Sequence, residues 1–354
     1  MAAPDTLRAF PGPIARMLPP PAVVAHVPDA LRVAQRLAWA REATCEPALT
    51  LERASVDAGF RSYWRAPTTQ GSRIVMDSPP DLEDARPWLR LRTLLDAHGI
   101  RVPALLAEDA QAGFLLLEDL GPSTALQALA HVDRDTLLET ALRTLVRLQA
   151  IPVPDDLPRY DAAMLQRELD LFEAWFLGRH LGVTLSEIER VGLHDVQARL
   201  IDNLLAQPQG FVHRDYMLRN LMPVGDDLAV IDFQGAVHGP LAYDPVSLFR
   251  DAFHSWPDAV VETGLDRHHA LARAAGLPLP ALVDFRRDAD FAGMQRHLKI
   301  LGLFARLHYR DGKPKYLADA PRFVGYLDRV LPRYPELAPL SALLDRHVRA
   351  HVPA

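Results

Sequence analysis

Hydrophobic and polar positions follow two different patterns along the chain, and the change comes near residue 120. Before it, short apolar runs bounded by turns predict five strands, at 49–54, 60–65, 73–76, 105–107 and 114–117. Apolar positions at helical spacing predict one helix that begins near Asp29 and a second at 84–97, which ends at His98-Gly99. The first 120 residues therefore predict a small sheet with few helices.

After Gly121-Pro122 the spacing is mostly helical. One buried stripe, predicted to belong to a single amphipathic helix within 165–176, consists of Leu165, Leu169, Phe172 and Phe176. Leucines at helical spacing between 298 and 307 predict another helix, and short strands are expected around Phe211 and Val230. The fold class predicted is α+β, with a β-rich lobe at 29–119 and a helical lobe at 120–354.

Composition limits what the chain can be. The net charge of −6 and the absence of a long basic run argue against nucleic acid as a partner. The single cysteine, Cys45, excludes an internal disulfide and suits the cytoplasm, and no apolar run is long enough to span a membrane. Residues 1–28 are rich in Pro and Ala and are expected to form a loosely ordered extension.

The segment 213–220, His-Arg-Asp-Tyr-Met-Leu-Arg-Asn, carries the strongest candidate chemistry. Asp215 is the candidate catalytic carboxylate, which would accept the proton of an attacking hydroxyl group. Asn220 and Asp232, the latter directly after the apolar run 228–231, are candidate ligands for magnesium on a nucleotide. Phosphoryl transfer needs these groups in this order, so the sequence predicts a phosphotransferase site.

Each of these side chains also has a structural interpretation. Asp215 could bind loop amides, Asp232 could form an Asx turn and Asn220 could cap a turn. His213 is expected to support the catalytic loop by a hydrogen bond rather than to act chemically. Asp244, followed by Pro245, predicts a helix start with Asp244 as the N-cap, and it could also buttress the catalytic loop.

The nucleotide side of the site is less complete in the sequence. Residues 114–121 predict a strand that leads into a hinge, where Glu118, Asp119 and Leu120 are the candidate adenine contacts; a plain strand and linker is the alternative. Residues 55–60 could cover the phosphates, although Gly59 is the only glycine there.

The strand on which a kinase carries its phosphate-binding lysine has none. The chain has three lysines, Lys299, Lys313 and Lys315, all near its end. Either Arg61, Arg65 or Arg73 neutralises the phosphates, or the site works without such a cation.

Several motifs together resemble one known superfamily. They are 211–216 with Arg219-Asn220; 231–234 with Gly239-Pro240 and 243–245; 168–172 with 175–176 and 179–182; 295–299 running to 309–313; and 75–77 with Pro79-Pro80. In these motifs the chain resembles the aminoglycoside phosphotransferase and choline kinase superfamily. Within it, the chain is most similar to the bacterial anomeric kinases of N-acetylmuramate and N-acetylglucosamine.

This resemblance implies a bilobal, protein-kinase-like fold and an ATP- and Mg²⁺-dependent reaction. The expected acceptor is the C1 hydroxyl of the amino sugar, and the product is an α-1-phosphate that feeds nucleotide-sugar synthesis in cell-wall recycling. The expected partners are therefore ATP and an amino sugar, bound by a cytoplasmic monomer, without nucleic acid or membrane.

Candidate acceptor contacts follow from the same resemblance. The lactyl carboxylate of N-acetylmuramate needs a cation, and the candidates are Arg167, Arg179, Arg219 and Arg296. Trp175 or Tyr216 could pack on the sugar, and Glu168 and Asp170 are further candidates. For each arginine, a solvated helix face is the simpler interpretation.

Two other functions stay open at this point. The first is an aminoglycoside or small amino-alcohol kinase, for which Glu168, Asp170 and Glu173 could form an acidic acceptor pocket. The second, suggested by the missing lysine, is a nucleotide-binding regulator without turnover.

Overall fold

The computed structural model describes residues 30–55 and 61–352. Its N-terminal lobe is built on one antiparallel five-stranded sheet in the order β1-β2-β3-β5-β4. The strands are β1 (Glu52–Ser55), β2 (Ser62–Thr68), β3 (Gly71–Asp77), β4 (Leu105–Asp109) and β5 (Phe114–Glu118). The five predicted strands are thus confirmed, and so is the hairpin of β4 and β5. The extension at 1–28 and most of the loop 55–60 lie outside the described residues.

The two faces of this sheet pack against different helices. Helix α1 (Ala30–Thr44) covers one face, where Val75 joins an apolar cluster with Ala40. Helix α2 (Arg86–Ala97) lies on the other side, where Met76 packs with Trp88. Because successive side chains of a strand point to opposite faces, β3 presents one set of residues to α1 and the other set toward α2.

The second lobe is mostly helical. Its helices are α3 (Ala125–Ala128), α4 (Arg134–Gln149), α5 (Ala162–Leu171), α6 (Glu187–Ala206), α7 (Tyr243–Phe249), α8 (Asp258–Ala274), α9 (Leu282–Tyr309), α10 (Ala320–Val330) and α11 (Ala338–His347). Asp133, Asp161 and Ser186 cap α4, α5 and α6 by accepting a backbone N–H in the first turn. The α+β, bilobal expectation is confirmed, and no described helix is both long and apolar enough to cross a membrane.

The helix predicted within 165–176 does not continue as one α-helix. Helix α5 ends at Leu171, and Phe172–His180 forms a π-helix. The four predicted stripe residues are nevertheless all buried. The change in winding occurs where α9 comes closest: a Cβ on Gly302 would lie 2.2 Å from the carbonyl carbon of Leu171. Only glycine allows this backbone approach.

Two short antiparallel pairs in the helical lobe hold the motif residues. β6 (Gln209–Val212) pairs with β9 (Val237–Pro240), and β7 (Leu221–Val224) pairs with β8 (Asp227–Val230). The catalytic-loop segment 213–220 connects β6 to β7, and the segment 231–236 connects β8 to β9. The two pairs thus bring the ends of both segments to the same side of the lobe.

Candidate active site

The segment after β6 is held in place by one buried carboxylate. Asp244 Oδ2 accepts the backbone N–H of His213 at 2.7 Å, and Asp244 Oδ1 accepts that of Arg214 at 2.9 Å. Arg214 has a φ of +75°, which an L-residue adopts only when its surroundings impose it. Asp244 is therefore the buttress that the sequence suggested. The N-cap prediction was wrong, since Ala242 is the N-cap of α7 and Asp244 lies in its first turn.

His213 connects the two motif segments. Its Nε2 lies 3.0 Å from the carbonyl oxygen of Ile231, which can only accept, so Nε2 carries the proton. Burial lowers the pKa of His213 and keeps the ring neutral. This hydrogen bond joins Ile231, the neighbour of Asp232, to His213 in the segment that carries Asp215. It agrees with the supporting role expected for His213.

The Asp215 side chain is 46% exposed. Arg296 Nη1 is 3.6 Å from its Oδ1. Desolvation alone would raise the pKa of Asp215, but Arg296, Lys299 and Arg214 outweigh it and lower the pKa below its usual value. The carboxylate is therefore ionised at neutral pH, as a proton acceptor must be.

Asn220 and Asp232 lie beside it. Asn220 Nδ2 donates to the backbone oxygen of Asp215 at 2.9 Å and lies 3.5 Å from Asp232 Oδ2. Asp232 has a φ of +62° in the left-handed region, and Gln234 Nε2 donates to its Oδ1 at 2.7 Å. The structure thus brings Asp215, Asn220 and Asp232 together at one end of the two strand pairs.

The donor set fits a magnesium ion bound mainly by nucleotide phosphates. Because Asn220 donates through Nδ2, its Oδ1 is the atom left to face a cation, next to the Asp232 carboxylate. Within residues 30–55 and 61–352 there is no group of three or more His, Cys, Asp or Glu side chains that would form a complete metal site. Magnesium does not require one, since phosphate and water complete its shell.

A cleft of about 430 Å³ runs between the sheet and these residues. The sheet contributes Tyr63, Arg65, Ile74 and Leu117 to its lining; the hinge contributes 118–122; the helical lobe contributes Arg219, Asn220, Met222, Ile231, Asp232, Phe233 and Phe253. The cleft is mainly apolar next to the hinge and polar next to the metal-site residues. This arrangement suits a ligand with a flat base at one end and phosphates at the other.

The acidic side chains of the hinge have protein partners. Glu118 binds Arg101 and accepts the N–H of Ala104 at 3.1 Å. Asp119 accepts from Arg65 Nε at 2.7 Å and from Ser72 Oγ at 2.5 Å. Any adenine contact at 118–120, where Leu120 also lines the cleft, therefore falls to backbone groups.

Arg73 was expected near the phosphates, and its position argues against that role. In β3, Ile74 lines the cleft, whereas Arg73 lies on the face shared with Val75 and Asp77, which faces α1. The Arg73 guanidinium instead binds the backbone oxygens of Ser72 and Gln70. Because side chains of β3 alternate between the cleft and α1, the apolar side chain of Ile74 lies where a cation was expected.

A cluster of charged side chains adjoins Asp215, and none of its members lines the cleft; we call Glu168, Arg214, Arg296 and Lys299 the acceptor-side cluster. Glu168 forms ion pairs with Arg214 and, at 3.1 Å, with Lys299. It also accepts hydrogen bonds from Tyr160 and, at 3.0 Å, from Gln295. Burial would raise the pKa of Glu168, but Lys299 and Arg214 lower it overall. Glu168 thus pairs with two cations, one of them in the catalytic loop, and offsets one of their two positive charges.

Lys299 is the residue of this site that the sequence did not nominate. It is buried on α9, one turn after Arg296, and faces Glu168 on α5. A polar run, 295–297 with Lys299, between the apolar runs 291–294 and 300–304 of one helix is the signal that could have identified it, because an unpaired lysine is almost never buried.

The other predicted acceptor residues lie in different surroundings. Arg296 is 1% exposed and donates from Nη2 to Met217 Sδ at 3.2 Å. Asp170 is exposed and accepts from Gln166, and Trp175 is partly buried against the helical core. Tyr216 is fully buried and donates to the Ala141 carbonyl, so its ring is not available to a sugar. Burial in the core corrects that prediction.

Comparison with known proteins agrees with this geometry. Residues 50–270, more than half of the chain, match the model of the phosphotransferase enzyme family. Solved structures with the same fold include a microcompartment-associated aminopropanol kinase (TM-score 0.61, 17% identity, 85% of this chain and 98% of that one). A choline kinase from Streptococcus pneumoniae has a TM-score of 0.58 at 16% identity, over 84% of this chain and 99% of that one.

Curated relatives are more similar in sequence. An N-acetylmuramate/N-acetylglucosamine kinase from Pseudomonas aeruginosa is 48% identical over 299 residues, which cover 84% of this chain and 88% of the relative. A protein of the same name from Neisseria meningitidis is 44% identical over 312 residues, 86% of this chain and 93% of the relative. The chain therefore belongs to the phosphotransferase enzyme family and, within it, to the same group as the N-acetylmuramate/N-acetylglucosamine kinases.

Proposed function

We propose that the protein transfers the γ-phosphoryl group of ATP to the C1 hydroxyl of N-acetylmuramate or N-acetylglucosamine. The observation that supports this most is that Asp215, Asn220 and Asp232 lie together, and that Asn220 and Asp232 line a cleft that can hold a nucleotide. The identity of 44–48% to kinases of these two sugars supports the acceptor class.

The chain's own residues account for each step of the transfer. Adenine lies against the hinge at 118–120, and Asn220 and Asp232 would hold magnesium, which neutralises phosphate charge when bound. The C1 oxygen attacks the γ-phosphorus, the bond from that phosphorus to the β,γ-bridging oxygen breaks, and ADP leaves. The hydroxyl proton passes to the Asp215 carboxylate.

The acidity of the acceptor hydroxyl suits the weak basicity of the Asp215 carboxylate. An anomeric hydroxyl is more acidic than an ordinary alcohol, so a carboxylate whose pKa is lowered by neighbouring cations still suffices. The same cations, Arg296 and Lys299, make the surroundings of Asp215 positive. A positive setting favours an acceptor that carries a carboxylate, as N-acetylmuramate does, over a cationic antibiotic or amino alcohol.

A substrate panel tests the proposal. Purified protein is incubated with γ-labelled ATP, Mg²⁺ and each of N-acetylmuramate, N-acetylglucosamine, glucose, choline and kanamycin, and label transfer is measured. We expect transfer to the two N-acetyl sugars. Transfer to kanamycin or choline alone, or to none of the five, would reject this acceptor class.

A further inference from the structure

The candidate metal ligand Asp232 is held in a backbone conformation that it does not favour by itself. Its φ of +62° lies in the left-handed region, which residues other than glycine occupy rarely. Such a conformation persists only where neighbouring groups impose it. On one side of Asp232, His213 Nε2 donates to the carbonyl oxygen of Ile231 at 3.0 Å. On the other side, Gln234 Nε2 donates to the Asp232 carboxylate itself, at 2.7 Å from Oδ1.

Gln234 belongs to a 3₁₀ turn whose two other residues are both anchored. Phe233 is fully buried, and its ring centroid lies 5.3 Å from that of Trp88 on α2. The carbonyl oxygen of Gly235 accepts from Arg214 Nη1, in the catalytic loop, at 3.4 Å. The Gln234 side chain therefore reaches the metal-site carboxylate from a rigid base.

The amide of Gln234 suits a carboxylate that has to bind a cation. An ionised carboxylate can only accept, so the NH₂ group is the end of the amide that faces Asp232 Oδ1. An amide donor fixes the plane of the carboxylate without adding charge, whereas a cationic side chain at position 234 would repel a metal ion. The second oxygen, Asp232 Oδ2, lies toward Asn220, whose Nδ2 is 3.5 Å away.

We infer that Gln234 is a positioning residue of the metal site, whose amide holds Asp232 so that this carboxylate and the Asn220 amide oxygen meet the magnesium ion together. The inference deepens the proposed function and rests on it for the nucleotide and its metal ion, but not for the sugar. Removing a group that hydrogen-bonds to a metal ligand lowers metal affinity about 10- to 100-fold, because the ligand is then free to turn away. A loss of this size is expected for Gln234, although it is not itself a ligand.

A titration of the metal ion without turnover tests the inference. Calorimetry follows Mg²⁺ binding to protein in complex with a non-hydrolysable ATP analogue, for the wild type, Gln234→Leu and Gln234→Ala. We expect both variants to bind Mg²⁺ about 10- to 100-fold more weakly. Leucine keeps the bulk of the side chain and alanine removes it, so a loss common to both comes from the missing hydrogen bond. Affinity for the analogue in EDTA should stay within about twofold of the wild type.

Gln166→Leu is the matched control. Gln166 Nε2 also donates to an aspartate, to Asp170 Oδ1 at 2.8 Å, but this pair lies on α5 and does not line the cleft. This variant should bind Mg²⁺ like the wild type. Wild-type affinity for Mg²⁺ in both Gln234 variants would overturn the inference. A loss of analogue affinity that is as large in EDTA as in Mg²⁺ would also overturn it, because Gln234 would then support the shape of the cleft.

The acceptor panel gives an independent result. A wild type that phosphorylates none of the five acceptors, but whose Mg²⁺ affinity depends on Gln234, rejects the proposed acceptor and keeps this inference. A wild type that phosphorylates the two N-acetyl sugars, with unchanged Mg²⁺ affinity in both Gln234 variants, keeps the proposed function and rejects this inference.

Discussion

The nucleotide cleft and the acceptor-side cluster differ in how their charges are arranged. Next to the hinge, the cleft is lined mainly by apolar residues of the sheet, and the acidic hinge residues Glu118 and Asp119 are each paired with an arginine. The acceptor-side cluster places three cations and one carboxylate close together, mostly out of solvent. The sheet thus shapes a pocket for a base, and the helical lobe supplies the charge that the chemistry needs.

This difference predicts that substitutions in the two regions have different effects on the reaction. A change in the nucleotide cleft alters how the nucleotide fits. A change in the helical lobe alters the electrostatic setting of the reaction itself, because buried charges interact more strongly than exposed ones.

Replacing the proposed base should have the largest effect. We expect Asp215→Asn to lower kcat roughly 10²- to 10⁴-fold, because the amide cannot accept the hydroxyl proton. Binding of the ATP analogue should change little. Asp226→Asn, at the exposed turn between β7 and β8, is the control. A kcat for Asp215→Asn near that of the control would contradict the role assigned to Asp215.

Breaking the acceptor-side cluster should come next. Glu168→Gln leaves Arg214 and Lys299 buried without their carboxylate, and such losses cost about 3–5 kcal/mol. Denaturant unfolding should show this loss. Adding Lys299→Met to Glu168→Gln removes one of the two stranded cations, so the double variant should be more stable than Glu168→Gln alone. If the loss of unfolding free energy in the double variant equals the sum of the losses in the two single variants, Glu168 and Lys299 do not interact.

The buttress of the catalytic loop should give a pH-dependent effect. Burial raises the pKa of Asp244 to about 6. The folded state therefore keeps a proton that the unfolded chain has already lost, and the stability due to Asp244 falls as the pH rises from about 4 to 6, by about 3 kcal/mol at most. The difference in unfolding free energy between wild type and Asp244→Ala should shrink from pH 4 to pH 6.5. A difference that grows over this range would mean that the loop amides favour the ionised form.

The smallest effect should come from a helix-capping contact that belongs to neither the nucleotide cleft nor the acceptor-side cluster. Glu189 accepts from the Ser186 hydroxyl and backbone N–H and binds His347 and Arg346 of α11. Hydrogen bonds from Ser186 and His347 lower its pKa, so its contribution is present at neutral pH and is lost as the pH falls. We expect Glu189→Gln to lower the Tm by about 2 °C at pH 7 and kcat not at all. A loss of kcat would mean that α6 affects the site.

The sequence predicted contacts between residues that are close along the chain and missed contacts between residues that are far apart along it. Asp215, Asn220 and Asp232 belong to one continuous segment, so their spacing alone indicated that they meet. Glu168 and Lys299 meet only because α5 and α9 pack together, and no local pattern contains that contact. Arg73 was misassigned for a related reason, since the face to which a strand residue points depends on which helices cover the sheet.

The account's central claim is transfer to the anomeric oxygen, and proton-coupled phosphorus NMR of the product tests it most directly. The protein is incubated with N-acetylmuramate, ATP and Mg²⁺ until ADP has formed. The account predicts a new phosphomonoester signal split into a doublet by the single proton on C1. A triplet from the two protons on C6, or ATP and N-acetylmuramate that remain unchanged, would contradict it.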